Sequence, residues 1–448
     1  MISKLTAIFS EFLKKLLRFI IRYRFYFILK PLYFLVIRKI YPERSIENIS
    51  SNKINILALS PGIFRGDLEI LSNSNEVNMY KIHHGWQRLI THAFYPKNTD
   101  ATDYYRKSKP KDLIEAQNKL REFLTVLLTY LYSKIKIDII VIPNVRYLED
   151  LDWCFVSRSL GIKIVLMFRE GLIMFRRGYE GTLNRHKMFG SFEGDHIIVH
   201  NQITRKMFIE SGFAEARQIS VNGMLRIDEL IKKVNSEKYH TKNQITLFYF
   251  RCDKNPFGRR VSGSYVPPGV PCKIYKDTIL CLIDLARSDA SLNVVIKPKP
   301  KDFANGELIK FLEDNQVSLD QIPNVKILPY ENVHDLIIES KVIIGLQTTA
   351  ILEAAVANKP IIFPYFDEFR NSAWSKRFGY KKYLDLFSAA SSKDDLEKKI
   401  LSYMKKYTIS NEVRKQRNNL IEKYLSSLSG NATSLYLRSL RGVINDNE

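Results

Sequence analysis

The run VIIGLQTTAILEAAVANKPIIFPYF, Val342 to Phe366, limits the possible folds more than any other stretch of the chain. Two apolar segments, Val342 to Leu346 and Pro360 to Phe366, flank a helical segment from Ala350 to about Ala357. Strands that are apolar at every position, rather than at alternate ones, are buried on both faces, as in a parallel sheet covered by helices on each side. The turn Gln347-Thr348-Thr349 puts two hydroxyls and unpaired backbone N–H groups at a helix start, an arrangement that attracts anions. Glu353 follows one turn later, where a carboxylate accepts hydrogen bonds from sugar or ribose hydroxyls. The same residues also suit plain capping, with Glu353 complementing the helix dipole.

The rest of the chain repeats this plan. Asn55 to Ser60, Ile137 to Ile142, Ile164 to Phe168, His196 to His200 and Ile219 to Asn222 read as short strands, alternating with helices such as Asp112 to Lys134. A second series follows at Ile245 to Phe250, Asn293 to Ile296 and Val325 to Leu328, with helices at Tyr275 to Ser288 and Asn332 to Ser340. The polar stretch Lys232 to Asn243 reads as a linker. The expected fold class is therefore α/β, with two doubly wound parallel-sheet (Rossmann-like) domains facing across a cleft. Residues 49–240 form the first domain, and residues 241–448 form the second, which includes the charged C-terminal helices.

In open parallel sheets ligands bind outside the carboxyl ends of the strands, so the residues directly after each strand carry most weight. In the first half these include Gly62, His83 and His84, Asn144, Arg169-Glu170-Gly171 and Asn201. Glu170 suits a general base for an acceptor hydroxyl, or an ion pair with Arg169 or a nearby lysine. His83 and His84 are the second candidates, because histidine titrates near neutrality; structural hydrogen bonds are the other reading of each. In the second half Arg251 ends a strand, and Lys297, Lys299 and Lys301 form a cluster that compensates a diphosphate or stays solvated. Two such halves suit transfer of a group from a phosphorylated donor to an acceptor.

Several chemistries are excluded by what is missing. There is no GxSxG, HExxH or Walker-type motif. Asp150 and Asp152 have the spacing of a metal-binding pair but suit capping the helix that follows, so no metal site and no cofactor are expected. Cys154, Cys252, Cys272 and Cys281 include no CxxC pair, which fits a reducing compartment.

Charge adds a location. The chain has 69 Lys and Arg against 47 Asp and Glu, a net +22, and residues 1–42 hold nine of the bases and one acid. Lys14, Lys15, Arg18 and Arg22 share one side of a helical wheel, with Phe12, Leu16, Phe19, Ile20, Tyr23 and Phe27 on the other. No apolar run there approaches the roughly 20 residues a membrane span needs. Residues 1–48 thus read as a basic amphipathic helical arm, ended or kinked at Pro31, that lies on an anionic membrane surface through residues 1–42. A nucleic-acid partner is not expected, since no recognition module accompanies the charge.

The residues NVVIKPKPKD (Asn293 to Asp302), KVIIGLQTTAILEAAVANKPIIFPYFDE (Lys341 to Glu368), FREG (Phe168 to Gly171) and VNGMLRIDEL (Val221 to Leu230) resemble segments of the GT-B superfamily of nucleotide-sugar-dependent glycosyltransferases. Within it the chain is similar to the bacterial surface-polysaccharide branch, the capsule Kdo transferases and the CDP-glycerol glycerophosphotransferases of teichoic acid synthesis. The resemblance implies a nucleotide-sugar donor and a saccharide or lipid-linked acceptor, used without a metal in capsule, lipopolysaccharide or teichoic-type biosynthesis. The place implied is the cytoplasmic face of the inner membrane. Thr348, Thr349 and Glu353 would hold the donor's phosphates and sugar or ribose, and Lys297 would add to phosphate binding. Lys299 replaces the histidine of a Lys-Pro-His-Pro strand end, which puts glycerophosphate transfer in doubt. Asn358 replaces the glycine before Lys-Pro but also tolerates positive φ. A glycerophosphotransferase-like synthase, a nucleotide-sugar 2-epimerase and a non-catalytic assembly scaffold are the alternatives.

Overall fold

The computed structural model describes residues 12, 15–16, 19–20, 23–27, 37–42, 53–82, 84–106, 108–174, 178–236, 240–250, 273–371, 375 and 378–445. It divides into two compact units: unit 1 comprises Met1–Gly171, Thr182–Arg226 and Asn431–Glu448, and unit 2 comprises Leu172–Gly181 and Ile227–Gly430.

Unit 1 is built on strands β1 (Ile37–Ile40), β2 (Ile54–Ala58), β3 (Val77–Ile82), β4 (Ile139–Ile142), β5 (Lys163–Met167), β6 (His196–Val199) and β7 (Ile219–Val221), in the spatial order β1-β3-β2-β4-β5-β6-β7. All neighbours run parallel except β1, which pairs antiparallel with β3. Strand β4, Ile-Ile-Val-Ile, is buried at all its positions because helices cover both faces. The helix Lys111–Ile135 lays Leu120, Phe123, Leu124, Leu127, Leu128 and Leu131 inward at helical spacing. Each fully buried side chain of this size contributes roughly 1.5–3 kcal/mol by leaving water.

Two features of unit 1 differ from the expected division. Residues 37–40 are an edge strand of the sheet rather than part of a helical arm: Ile40 is buried against Met79, the partner of Ile40 in the β1–β3 register. The last helix, Ala432–Asn445, belongs to unit 1 and not with the second domain. Its stripe of Tyr436, Leu437, Leu440 and Val443 joins the core made by Ile56, Met79, Val141, Val165 and Met167, a face of the sheet that would otherwise meet water. The boundary also falls at Arg226 rather than within Lys232 to Asn243. Lys233 pairs with Asp335 at 2.6 Å, so the helix Leu225–Val234 ends inside unit 2.

Unit 2 contains β8 (Gln244–Phe248), β9 (Asn293–Lys297), β10 (Val325–Ile327), β11 (Val342–Ile344), β12 (Ile361–Pro364) and β13 (Ser388–Ala390), ordered β10-β9-β8-β11-β12-β13 and parallel throughout. Numbered within the unit this is 3-2-1-4-5-6, the doubly wound order, with its switch point between β8 and β11. The helix Ala350–Val356 follows β11 as expected, and Asn358 takes φ 52°, turning the chain into Lys359-Pro360 and β12. Buried Arg417 ties the helix Asn411–Tyr424 to this sheet, donating to the Leu386 carbonyl at 2.7 Å and the Lys359 carbonyl at 3.2 Å.

Of the arm, Phe12, Lys15, Leu16, Phe19 and Ile20 are helical. Phe12, Phe19, Tyr23 and Phe27 are exposed by 59%, 52%, 53% and 66%, and the rings of Phe19, Tyr23, Phe25 and Phe27 group together, the kind of exposed apolar patch that marks an interaction surface. The arm is anchored to unit 1 by Tyr26, whose ring lies 5.2 Å from that of Phe123, and by Arg24, 3.3 Å from Glu122. Among the described residues no helix is long and apolar enough to cross a membrane.

Candidate functional site

In unit 2 the carboxyl ends of β9, β8 and β11 lie side by side. Gly345 follows β11, and a Cβ there would crowd the end of the Ile351 side chain, 3.1 Å away, while meeting Phe248 Cβ of β8 at an ordinary 3.4 Å. The turn after it is pinned from below: Gly379 N–H donates to Gln347 Oε1 at 2.9 Å, and Tyr380 O–H donates to the Thr348 carbonyl at 2.9 Å. Thr348 Oγ1 accepts from Ala350 N–H at 3.4 Å, whereas Thr349, the N-cap residue, makes no side-chain capping bond. Lys297 donates to the Pro298 carbonyl at 3.2 Å and the Pro329 carbonyl at 2.7 Å, and its burial pulls the ammonium's pKa down. Lys299 is exposed at the start of the short helix Pro300–Phe303. Arg251 lies outside the described residues.

Glu353 has a different place from the one its position one turn into the helix suggests. It is 3% exposed, and its Oε2 lies 3.4 Å from Nε2 of buried His334 in the helix Val333–Glu339. The helix rotates Glu353 inward, onto His334, while Thr348 and Thr349 stay at its start and half-buried. Among the described candidates, Lys297, Lys299, Thr348 and Thr349 follow or end strands of unit 2, whereas Glu353 is turned away.

In unit 1 a denser set of polar groups occupies the carboxyl ends of β3, β2, β4 and β5. Ser60, two residues beyond β2, is fully buried and has φ 49° and ψ 48°, a left-handed conformation that costs a non-glycine residue on the order of 1 kcal/mol and persists only where neighbours hold it. Those neighbours are identifiable. Ser60 N–H donates to Gln87 Oε1 at 2.9 Å, Ser60 O–H donates to Asp150 Oδ1 at 2.9 Å, and Gln87 Nε2 donates to the same oxygen at 2.8 Å. His84, the first residue of the helix His84–Phe94, brings Nδ1 within 3.3 Å of Ser60 Oγ and Nε2 within 3.6 Å of Glu149 Oε1. Arg88 also reaches Glu149, at 3.2 Å. His83 lies outside the described residues.

Asp150 and Asp152 are neither a metal pair nor caps. Both are buried in the helix Leu148–Ser159, whose N-cap is Tyr147, and they point to different neighbours because their positions lie about 200° apart around the helix axis. Asp152 is held by Tyr95 and by Arg121 Nε at 2.8 Å. Asp150 is pushed up to about 7 by burial, which outweighs the hydrogen bonds from Ser60 and Gln87; nearby Glu149 adds to the rise. Its Oδ2 is buried with no hydrogen-bond partner. Among the described residues no group of His, Cys, Asp and Glu is arranged to hold a metal ion.

Glu170 is not paired with Arg169. Successive residues at a strand end point to opposite faces, so Arg169 turns in to a buried ion pair with Asp67, and Glu170 turns out, 3.5 Å from Arg146 Nη2, with its side chain 48% exposed. Burial pushes the Asp67 carboxyl up and the Arg169 guanidinium down, each opposed by the other's charge. The polar strand ends of unit 1 therefore hold His84, Glu149, Arg146 and Glu170, with Ser60, Gln87 and Asp150 buried behind His84. Strand-end position identifies His84 and Glu170 in the sequence, but Ser60, Gln87, Arg146, Glu149 and Asp150 join the set only through the fold. The one sequence signal for Ser60 is the Pro-Gly pair that follows it.

No protein-family model matches the chain, and no curated protein matches it. Solved structures do. A putative UDP-N-acetylglucosamine 2-epimerase from Listeria monocytogenes is similar at 11% identity and a TM-score of 0.50, over 88% of this chain and 98% of that one. The UDP-GlcNAc 2-epimerase from Neisseria meningitidis bound to UDP-GlcNAc has 11% identity, coverage of 87% and 100%, and a TM-score of 0.46. The wall teichoic acid polymerase TagF has 12% identity, coverage of 97% and 98%, and a TM-score of 0.49. At such identities the likeness concerns the fold alone, and it agrees with the two sheets described above: the chain has a GT-B-like architecture of two doubly wound α/β units.

Proposed function

We propose that the chain is a glycosyltransferase that moves a sugar from a nucleotide-sugar donor to a saccharide or lipid-linked acceptor in surface-polysaccharide biosynthesis, working at an anionic membrane surface. The observation that carries this reading is the setting of His84, whose two ring nitrogens lie beside the Ser60 hydroxyl and the Glu149 carboxylate. In this reading His84 takes the proton of an acceptor hydroxyl. The acceptor oxygen bonds to the anomeric carbon as the bond to the donor phosphate breaks, and the electron pair leaves with the nucleotide. Glu149 stabilises the imidazolium so formed. Glu170, held by Arg146, orients the acceptor and is the alternative base. In unit 2, Lys297, Lys299 and the Thr348-Thr349 turn take the donor's phosphates, supplying charge and hydrogen bonds where negative charge develops.

The nucleotide-sugar ligand is supported by the fold shared with the Listeria protein, whose name is that of a UDP-sugar enzyme. That likeness also supports a second reading, a nucleotide-sugar 2-epimerase. The basic, aromatic arm favours the transferase, because a soluble epimerase has no use for it. The deciding assay incubates the full-length chain with a panel of nucleotide sugars, with and without a lipid-linked oligosaccharide acceptor, and follows products by mass spectrometry. Sugar on the acceptor is the expected result. An epimerised nucleotide sugar formed without acceptor would establish the second reading, and failure to bind any donor would overturn both.

A further inference from the structure

The directions of the hydrogen bonds around Ser60 follow from one donor that cannot be reversed. The Ser60 backbone N–H can only donate, and it does so to Gln87 Oε1 at 2.9 Å. Gln87 must then present its amide nitrogen to Asp150 Oδ1, at 2.8 Å. With Asp150 ionised, Oδ1 is an acceptor only, so the Ser60 hydroxyl, 2.9 Å away, gives it its single proton. What Ser60 Oγ has left to offer His84 is a lone pair. The imidazole nitrogen at 3.3 Å, Nδ1, is therefore the one that Ser60 calls on to carry hydrogen, at a shorter distance than the 3.6 Å over which the Glu149 carboxylate competes for a proton on Nε2.

We infer that Asp150, acting through Ser60, fixes the proton of neutral His84 on Nδ1 and so keeps Nε2 as its basic nitrogen. Two further observations support a built relay rather than a chance contact. Ser60 is held in a left-handed backbone conformation that brings its N–H and its hydroxyl to bear on Gln87 and Asp150 together. Asp150 is fully buried, and the Ser60 hydroxyl and the Gln87 amide both converge on its Oδ1, which leaves Ser60 no other acceptor for its proton there. Asp150 and Ser60 are then positioning residues for the base proposed above. The inference rests on that reading for its catalytic consequence only, since the place of the proton is a property of the folded chain.

The test uses the full-length chain labelled with ¹⁵N at its eight histidines, with the His84 signals assigned by their loss in His84→Gln. At about pH 8.5, where imidazoles are neutral, a long-range ¹H–¹⁵N correlation reports which ring nitrogen holds the proton. Wild type is expected to show Nδ1–H. Asp150→Asn is expected to keep it, because both neighbours donate to the Oδ1 position and the asparagine carbonyl fits there. Ser60→Ala and Asp150→Leu are expected to lose it, with the proton moving to Nε2. An Nε2–H signal in wild type, or an unchanged Nδ1–H in Ser60→Ala, overturns the inference. Where a variant fails to fold, the wild-type signal decides alone. If wild type shows Nδ1–H while His84→Gln keeps full turnover, the relay stands and the general-base reading fails.

Discussion

Asn222 donates from Nδ2 to the Leu435 carbonyl oxygen at 3.1 Å, joining positions 213 residues apart, and the same amide group lies 2.9 Å from Ser439 Oγ. This contact fastens the helix Ala432–Asn445 to the end of β7, and Arg441 adds an ion pair to Glu76 at 2.7 Å. A chain ended after Gly430 loses Tyr436, Leu437, Leu440 and Val443 from the core of unit 1. At ~2–4 kcal/mol for each large apolar side chain, the loss is on the order of 10 kcal/mol, comparable with the whole stability of a domain. Limited proteolysis is expected to degrade unit 1 in the truncated protein and spare unit 2. Equal protection of both would refute this. The milder Leu440→Ala should cost about 2–4 kcal/mol in denaturant unfolding.

Removing the proposed base should act on the chemical step. His84→Ala is expected to lower kcat by roughly 10²–10⁴-fold. Glu149→Gln, which leaves the imidazole in place but removes the charge that steadies it, should cost about tenfold in kcat with little change in KM. Steady-state kinetics with the donor identified by the product assay would check both. A KM effect alone in either variant would move these residues from chemistry to binding.

Asp150 makes stability depend on pH in an unusual direction. Its carboxyl is pushed up to about 7 in the folded chain against 3.8 ordinarily, so the native state holds this proton more tightly than the unfolded state does. The contribution costs nothing below pH ~4, weakens the fold progressively as the pH rises from ~4 to ~7, and is constant above that. Its ceiling is ~4 kcal/mol, from about 1.4 kcal/mol per unit. Asp150→Asn should therefore gain stability relative to wild type as the pH is raised from 5 to 8 in denaturant titrations. A difference between the two proteins that does not change with pH would contradict the assignment.

The arm offers a test that leaves the fold alone. Deleting residues 1–42 would also strip β1 from the sheet, so point substitutions are the cleaner probe. Phe12, Phe19 and Phe27 are exposed, and replacing all three by Ser removes apolar contacts each worth roughly 1–3 kcal/mol on entering a bilayer boundary. Sedimentation with anionic vesicles should fall at least tenfold, while the melting temperature stays within about 2 °C. Unchanged sedimentation would remove the membrane from the proposal.

The fold was legible where apolar runs are continuous: Ile139–Ile142, Val342–Ile344 and Ile361–Pro364 can hardly be anything but buried parallel strands. It was less so where an element's partner is remote. Ile-Arg-Lys-Ile of β1 alternates weakly and is short, and nothing local says that Ala432–Asn445 returns to the first sheet. The site followed the same rule. His84 and Glu170 stand directly after strands and so could be named. Glu149 and Asp150 are consecutive residues in one helix, yet one reaches the imidazole and the other the hydroxyl behind it, a division set by helical rotation and by Ser60's unusual φ. Glu353 shows the converse: one turn into its helix is a binding position only if that face is open, and here it is closed by His334.

The late return of Ala432–Asn445 to unit 1 also sets an order of events during synthesis. Every segment of unit 2 leaves the ribosome before this helix does, so unit 2 has its full complement of strands while the first sheet still shows the face that Tyr436, Leu437 and Leu440 will cover. The half of the protein made first is thus the last to close, and its nascent sheet needs shielding until the helix Ala432–Asn445 has emerged.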